Sequence, residues 1–337
     1  MSTIYQIAKK VGLSPSTVAR ALRGTGYCSP KARERVRKAA AALDYSPTHA
    51  ARMLKSKRSS KILFCIPDIY NPFYFGMIKG ASDVLERHGY FTVLCPTRHR
   101  VEEELRLLQS LRERYGDGMI LVSFNFNRRN IDPINRGGMP VVLTNRYDSR
   151  GGGDRFDYVF IDTRKGISLA TRHLLASGHR RVAYIGGFPS EQTGAERLAG
   201  YRDAMREADV PIDDGMVMNS DYTRAGGFTA GRLLLSRARG PTGVVAANDL
   251  MAIGFMQACD EAGVRIPADI CVVGMDNTDL ATFVKPHLTS VVMREEDIGS
   301  NAATLLIERI LGGRTARKTI RLEPELVVRE SSGGSRG

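Results

Sequence analysis

From Lys61 onward the chain alternates short β-branched or apolar runs with amphipathic stretches, and this alternation narrows the fold more than any other feature. Strand-like runs fall at 61–67, 90–95, 118–123, 140–144, 157–161, 181–186, 243–247, 270–274 and 288–292. Helix-like segments at 75–88, 101–114, 165–178, 195–209, 226–238 and 249–262 separate most of them. Strands joined through helices pair in parallel, because a parallel return needs a long crossover. This many strand–helix units predicts a two-lobed, doubly wound parallel-sheet α/β body over 61–337. One lobe is expected from roughly 61–161 plus 293–331, the other from 162–292.

Residues 1–46 follow a different rule. Thr3-Ile4-Tyr5-Gln6 fits a capping box, and Ile4, Ile7, Ala8 and Val11 recur at helical spacing. Gly12 interrupts. Ser14 then supplies an N-cap and Pro15 a first helical position, with Val18, Ala21 and Leu22 as the buried side. Ser29-Pro30 opens a third helix through about Leu43, with Ala32, Val36, Ala39, Ala40 and Leu43 facing inward. Two short helices around a glycine turn, followed by a third, read as a small all-α helix-turn-helix head. A hinge helix starting at Pro47 and a polar linker fill 47–60.

Charge separates the two parts. Residues 1–61 carry fourteen Lys and Arg against Glu34 and Asp44, a net +12 of the chain's +13. The remaining 35 basic and 34 acidic residues leave +1. A basic, helical head on a neutral body is the electrostatic footprint of nucleic-acid binding.

Other classes are disfavoured. No apolar run reaches the length of a bilayer span, and MSTIYQIAKKVGLS has no apolar leader region, so a cytoplasmic protein is expected. The five cysteines, Cys28, Cys65, Cys95, Cys259 and Cys271, have no zinc or redox spacing and read as buried free thiols. No phosphate loop, dinucleotide fingerprint, nucleophile elbow or metal cluster is present, so neither an enzyme nor a cofactor is expected. The six histidines are scattered, and His179 reads as a loop-ordering residue.

The segment TIYQIAKKVGLSPSTVARALRGTGYCSPKARERV with YSPTHAARMLKS resembles the head of the LacI/GalR family of bacterial transcriptional regulators. The similarity continues in the family's order through PDIYNPF, DGMIL, PVVLTNR, GHRRVAYIGG, ERLAGY, AANDLMAIG, VVGMDNTDL and PELVVRES, covering 3–331. The resemblance implies a repressor that grips double-stranded palindromic operator DNA as a homodimer and answers to a small-molecule effector, sugar-like or purine-like, held between the lobes. Its DNA-contacting positions fall on Ser14, Pro15, Ser16, Thr17 and Arg20 in the second helix and on Thr48, His49, Ala51, Leu54 and Lys55 in the hinge. Arg20 suits a bidentate guanine contact, and Leu54 matches the family's minor-groove wedge, with ordinary hinge packing as its bland alternative. Ala19 stands where the family usually has serine.

Doubly wound folds hold ligands at the carboxyl ends of their strands. That rule, together with the resemblance, selects Asn71, Phe73, Tyr74, Asn145, Arg146, Arg197, Tyr222, Asn248 and Asp276 as effector-binding residues. Aromatic faces with convergent Asn, Arg and Asp groups suit a polyhydroxylated or heterocyclic ligand. Simpler roles compete: Asn71-Pro72 as a turn, Asp249 as a helix cap, and Arg197, at the opening of its helix, as an ion-pair partner. Met275, Met293 and Asn145 depart from the commoner family residues. A solute-binding protein with the same body, or an α/β enzyme, remains the alternative, and the sign of the effector response is open.

Overall fold

The computed structural model of the chain describes residues 3–24, 26–45, 58–124, 128–145, 156–312 and 314–333. It divides into two compact units, Met1–Arg58 and Ser59–Gly337. The hinge expected over 47–60 lies largely outside the described residues.

In the first unit, α1 (Ile4–Val11), α2 (Pro15–Arg23) and α3 (Pro30–Ala42) enclose a core of Ile7, Val11, Val18, Ala21, Val36 and Ala40. Each helix begins at the expected cap. The Thr3 amide donates to Gln6 Oε1 at 2.8 Å, and Gln6 returns its own amide to Thr3 Oγ1 at 3.4 Å. Ser14 and Ser29 accept from the amides of Thr17 and Ala32. Gly12 ends α1 with φ at 65°, a left-handed conformation that strains any residue with a Cβ. Arg35 reaches back across the fold and donates to the freed Val11 carbonyl at 2.8 Å. Ala32, Leu22 and Leu43, expected in the core, are only half-buried at its rim, as is Cys28. A three-helix unit this small has little fully enclosed volume.

The second unit holds two six-stranded sheets. The first runs β11 (Thr319–Leu322), β5 (Asp157–Ile161), β4 (Val141–Leu143), β3 (Gly118–Leu121), β1 (Lys61–Ile66), β2 (Phe91–Pro96), all parallel. The second runs β12 (Glu325–Val327), β10 (Thr289–Val292), β9 (Cys271–Asp276), β8 (Gly243–Ala246), β6 (Val182–Gly186), β7 (Val217–Asn219). Its pairs are parallel except β10–β12. Both sheets are doubly wound.

The helices follow the strands. On the first sheet, α4 (Phe73–Arg87) lies against the long α12 (Glu295–Ile310), while α5 (Val101–Arg112) and α6 (Arg128–Gly137) pair together. On the second, α7 (Thr163–Ala176) pairs with α8 (Gln192–Glu207) and α9 (Arg224–Leu235) with α10 (Asp249–Glu261). A short α11 (Leu280–Phe283) leads into β10. The α4–α12 contact is backbone on backbone. A Cβ on Gly80 would lie 2.2 Å from the Glu296 carbonyl oxygen, and one on Gly299 2.0 Å from that of Met77. Only glycine permits that approach.

One sequence-based boundary needs correction. The stretch 293–331 does not return as a whole to the first lobe. It does so through α12 and β11, but Glu325–Val327 pairs with β10 of the second sheet. The tail stays there because its serines enter the core: Ser331 Oγ donates to the Val272 carbonyl at 2.6 Å and accepts from the Thr289 amide at 2.8 Å. Ser332 Oγ meets Thr289 Oγ1 at 2.7 Å and His173 Nε2 at 2.8 Å.

Candidate functional site

The carboxyl ends of the two sheets open onto a common cavity of about 110 Å³. From the first sheet, the chain after β1 brings Asp68, Asn71, Phe73 and Tyr74, that after β2 brings His99, that after β3 Phe124, and that after β4 Asn145. From the second, the chain after β6 brings Thr193, Glu196 and Arg197, that after β7 Asp221 and Tyr222, that after β8 Asn248, and the end of β9 brings Asp276. Eight of the nine expected effector residues thus share one cavity. Arg146 lies outside the described residues.

Local structure holds these groups in place. Asn71 makes the turn as well as lining the cavity, since its Oδ1 accepts from the Phe73 amide at 3.0 Å. Asn248, not Asp249, caps α10, accepting from the Met251 amide at 2.9 Å while its amide group donates to the Tyr222 carbonyl at 2.9 Å. Tyr222 sits at φ 62°, and its ring fills the space where a Cβ on Gly187 would collide, 1.9 Å from Cζ. Arg197 lies in the second turn of α8 rather than at its start, because that helix begins at Gln192. Its Nη1 donates to the Ala247 carbonyl at 2.7 Å, among the described residues it closes no ion pair, and its guanidinium lies 5.5 Å from the centre of the Tyr222 ring.

Contacts among the described residues that join the sheets across the cavity include Asn145–Thr193, Phe124–Tyr222 and His99–Glu191. Asn145 donates to Ser123 O at 3.0 Å and to Thr193 Oγ1 at 3.3 Å. The Phe124 and Tyr222 rings lie 5.7 Å apart, and His99 continues the row 5.4 Å from Phe124. His99 is also 3.9 Å from Glu191, and burial holds its imidazole below the usual value, so the neutral ring is favoured at pH 7.

Two enclosed carboxyl groups neighbour each other here, Asp276 in the cavity lining and Asp249 outside it. Asp249 is fully enclosed, accepting from the Thr278 amide at 2.8 Å and from Ser290 Oγ at 2.5 Å, and burial raises its pKa to about 6. Asp276 is 3% exposed; burial first, and the neighbouring Asp249 second, push it well above the carboxylate range. Among the described residues, Tyr222 OH, Thr144 Oγ1 and Arg197 Nε are buried without a hydrogen-bond partner. Such groups are costly to leave unmade and are satisfied by a polar ligand or by water. Among the described residues no cluster of three or more metal-ligating groups occurs.

His99, Phe124, Thr193 and Asp221 were not among the expected site residues. The signal was available, since each follows a strand end just as the selected ones do.

In the first unit, Ser14, Ser16 and Arg20 are exposed on α2, with Pro15 and Thr17 half-buried beside them. The Ser14 hydroxyl lies 2.9 Å from those of both Ser16 and Thr17, and Arg20 Nη2 donates to Thr17 Oγ1 at 3.4 Å. One polar face at the helix start therefore carries hydroxyls and a guanidinium together. Thr48, His49, Ala51, Leu54 and Lys55 lie outside the described residues.

Known proteins match both units. Residues 3–48 fit the family described as bacterial regulatory proteins, lacI family, and residues 171–332 the periplasmic binding protein-like domain. The chain is 34% identical to the HTH-type transcriptional regulator CelR of Thermobifida fusca, over 98% of each. It is 33% identical to the ribose operon repressor of Escherichia coli K12, over 98% of this chain and 100% of that one. Among solved structures, the CelR–cellobiose complex aligns with a TM-score of 0.74 at 32% identity, over 98% of this chain and 100% of that one. The lac repressor dimer bound to operator and the anti-inducer ONPF aligns at 0.85 and 25%, over 98% and 99%. These relatives are named regulators and repressors, not enzymes. Among the described residues no helix is long and apolar enough to cross a membrane. With such relatives matched along nearly its whole length, the chain belongs to the LacI family of bacterial regulatory proteins.

Proposed function

We propose that this protein is a transcriptional repressor that binds a palindromic operator as a homodimer and releases or tightens that grip when a sugar or sugar derivative enters the cavity between its sheets. The observation that carries the reading is the cavity itself, built from the carboxyl ends of two sheets and lined by aromatic rings and unsatisfied polar groups. A row of tilted aromatic rings offers faces to the CH side of a sugar, while Asp and Asn groups take its hydroxyls. Asp68, Asp162, Glu196 and Asp221 line the cavity with the guanidinium of Arg197, while burial holds Asp276 and His99 toward their neutral forms. That balance favours an uncharged ligand over a phosphate or an acid. CelR, the relative solved with cellobiose, supports the same class.

Regulation follows from differential affinity. Any ligand that fits one arrangement of the lobes better than another shifts the population toward it. The head supplies the readout: Ser14, Pro15, Ser16, Thr17 and Arg20 on α2 would meet the major groove, and Leu54, in the hinge, would wedge the minor groove.

The test is a melting-temperature screen of the full chain against neutral sugars, sugar acids, sugar phosphates and purines, followed by operator binding with the best hit. A true effector at a hundredfold excess over its Kd stabilises by about 2.7 kcal/mol. Operator binding should weaken with salt by a slope of about −0.9 per neutralised phosphate. Sequence-blind binding, or a hit that leaves operator affinity unchanged, would sink the reading.

A further inference from the structure

Outside the cavity lining, two thiols far apart in sequence meet. Cys65 on β1 and Cys95 on β2 are direct partners in the parallel register of the first sheet. Both project onto the same face, into the core beneath α5 that also holds Leu108 and Leu111. Neighbouring strands lie about 4.7–4.9 Å apart, inside the roughly 4.4–6.8 Å range of Cα separations that a disulfide spans. The two thiols act on each other: the hydrogen bond from Cys65 lowers Cys95, against the effect of burial and with help from Arg106, while burial raises Cys65. Cys95 is itself buried, 9% exposed, but lies on an edge strand whose Phe91 and Leu94 are exposed, whereas Cys65, on the neighbouring inner strand, is fully enclosed.

We propose that Cys65 and Cys95 form a reversible disulfide when the protein meets a hydroperoxide, cross-linking β1 to β2. The Cys95 thiolate attacks a peroxide oxygen, the O–O bond breaks, and the departing oxygen leaves as water or an alcohol. Cys95 is then a sulfenic acid. The Cys65 sulfur displaces its hydroxyl, which leaves as water with the Cys65 proton. Two thiols thus lose two electrons and two protons to one hydroperoxide.

The link sits where it can be felt. Asp68 follows Cys65 and His99 follows Cys95 within a few residues, and both line the cavity. The two stretches are already tied by the Thr97 amide donating to the Ile66 carbonyl at 2.8 Å. Resting on the reading of the cavity as the effector site, the disulfide is expected to change effector affinity severalfold by holding those two loops together.

The experiment treats the native full chain with hydrogen peroxide, alkylates it, and digests it with trypsin without reduction. The proposal expects a linked pair of peptides 62–79 and 88–98, lighter than their sum by two hydrogens, which dithiothreitol separates. It also expects the link to vanish in both Cys95→Ser and Cys65→Ala, with at least one variant keeping the parent melting temperature. Recovery of both cysteines as alkylated thiols, or of Cys95 as sulfinic acid without any link, would overturn it. So would a link that forms only in chain unfolded by guanidinium. The disulfide is scored without effector or DNA, so its failure is separate from failure of the effector reading. If the link forms and effector affinity does not change, only the regulatory consequence falls.

Discussion

Asp157 and Asp276 are the same residue type, each almost completely buried in the same unit, and their acidities move in opposite directions. Asp157 accepts from Arg309 at 2.6 and 3.0 Å, from Arg314 at 2.9 and 2.6 Å, and from the Lys318 amide at 2.7 Å. Burial pushes its pKa up, but the bonds from Arg309 and Arg314 outweigh burial and hold it below the usual value. Asp276 is raised, because its enclosure is met by the nearby Asp249 rather than by a matched guanidinium. A buried carboxylate surrounded by donors fastens the fold. One left short of them at a cavity wall is costly until something polar arrives.

The largest effect should come from breaking the fastened one. Asp157→Asn leaves two guanidinium groups half-buried and under-compensated at the junction of β5, α12 and β11. Its unfolding free energy should fall by about 3–5 kcal/mol, the usual cost of splitting a buried ion pair. Effector affinity of the protein that remains folded should hold. Denaturant titration beside ligand titration separates the two readouts, and an unchanged midpoint would erase the contrast.

Next comes the open carboxylate. Asp276→Asn keeps the side-chain shape at this positive-φ position. It should leave stability unchanged or higher, because a buried group whose ionisation is disfavoured is removed, while effector affinity drops by about 10- to 100-fold, equivalent to roughly 1.5–3 kcal/mol. A stability loss with unchanged affinity would move Asp276 into the class of Asp157.

The contrast was not legible in the sequence. Strands and helices of the body were, because period-two and helical patterns are local, as were the caps Thr3, Ser14 and Ser29. Six labelled elements were not read from the sequence: α6, α11, α12, β7, β11 and β12. The helix α6 carries Pro133 and few apolar residues, and β11 and β12 are three or four residues long with little buried surface. The cavity was largely legible because strand ends locate ligands in doubly wound folds. The partners that set each acidity were not. Arg309 and Arg314 stand 152 and 157 positions from Asp157, and Ser290 stands 41 from Asp249. Only the packed fold makes them neighbours.

pH turns the same comparison into two slopes of opposite sign. The folded pKa of Asp157 lies below the ordinary 3.8, so its stabilisation is full above that value and is lost as pH falls through the folded one. Asp249 lies near 6 when folded against 3.8 unfolded, so folding takes up a proton between those values. Its contribution is fully present below 3.8 and is lost as pH rises through about 6. Asp249→Asn should therefore flatten the decline between pH 4 and 6 in a urea-midpoint series, and Asp157→Asn should flatten only the acid limb. Parallel curves for both variants and the parent would contradict the assignment.

The smallest effect tests whether unsatisfied groups at the cavity wall are ligand partners. The Tyr222 hydroxyl is buried without a hydrogen-bond partner among the described residues, whereas its ring is held by Phe124 at 5.7 Å and Arg197 at 5.5 Å. Phenylalanine preserves those ring contacts and removes only the orphaned oxygen. Deleting an unpaired polar atom costs the free protein little and can stabilise it, so the melting temperature of Tyr222→Phe should stay level or rise. If an effector hydroxyl pairs with that oxygen, affinity should fall by about 2- to 10-fold, the equivalent of roughly 0.5–1.5 kcal/mol. A melting temperature that drops while affinity holds would mean that the hydroxyl has an internal role, through water, of the kind Asp157 plays through arginine.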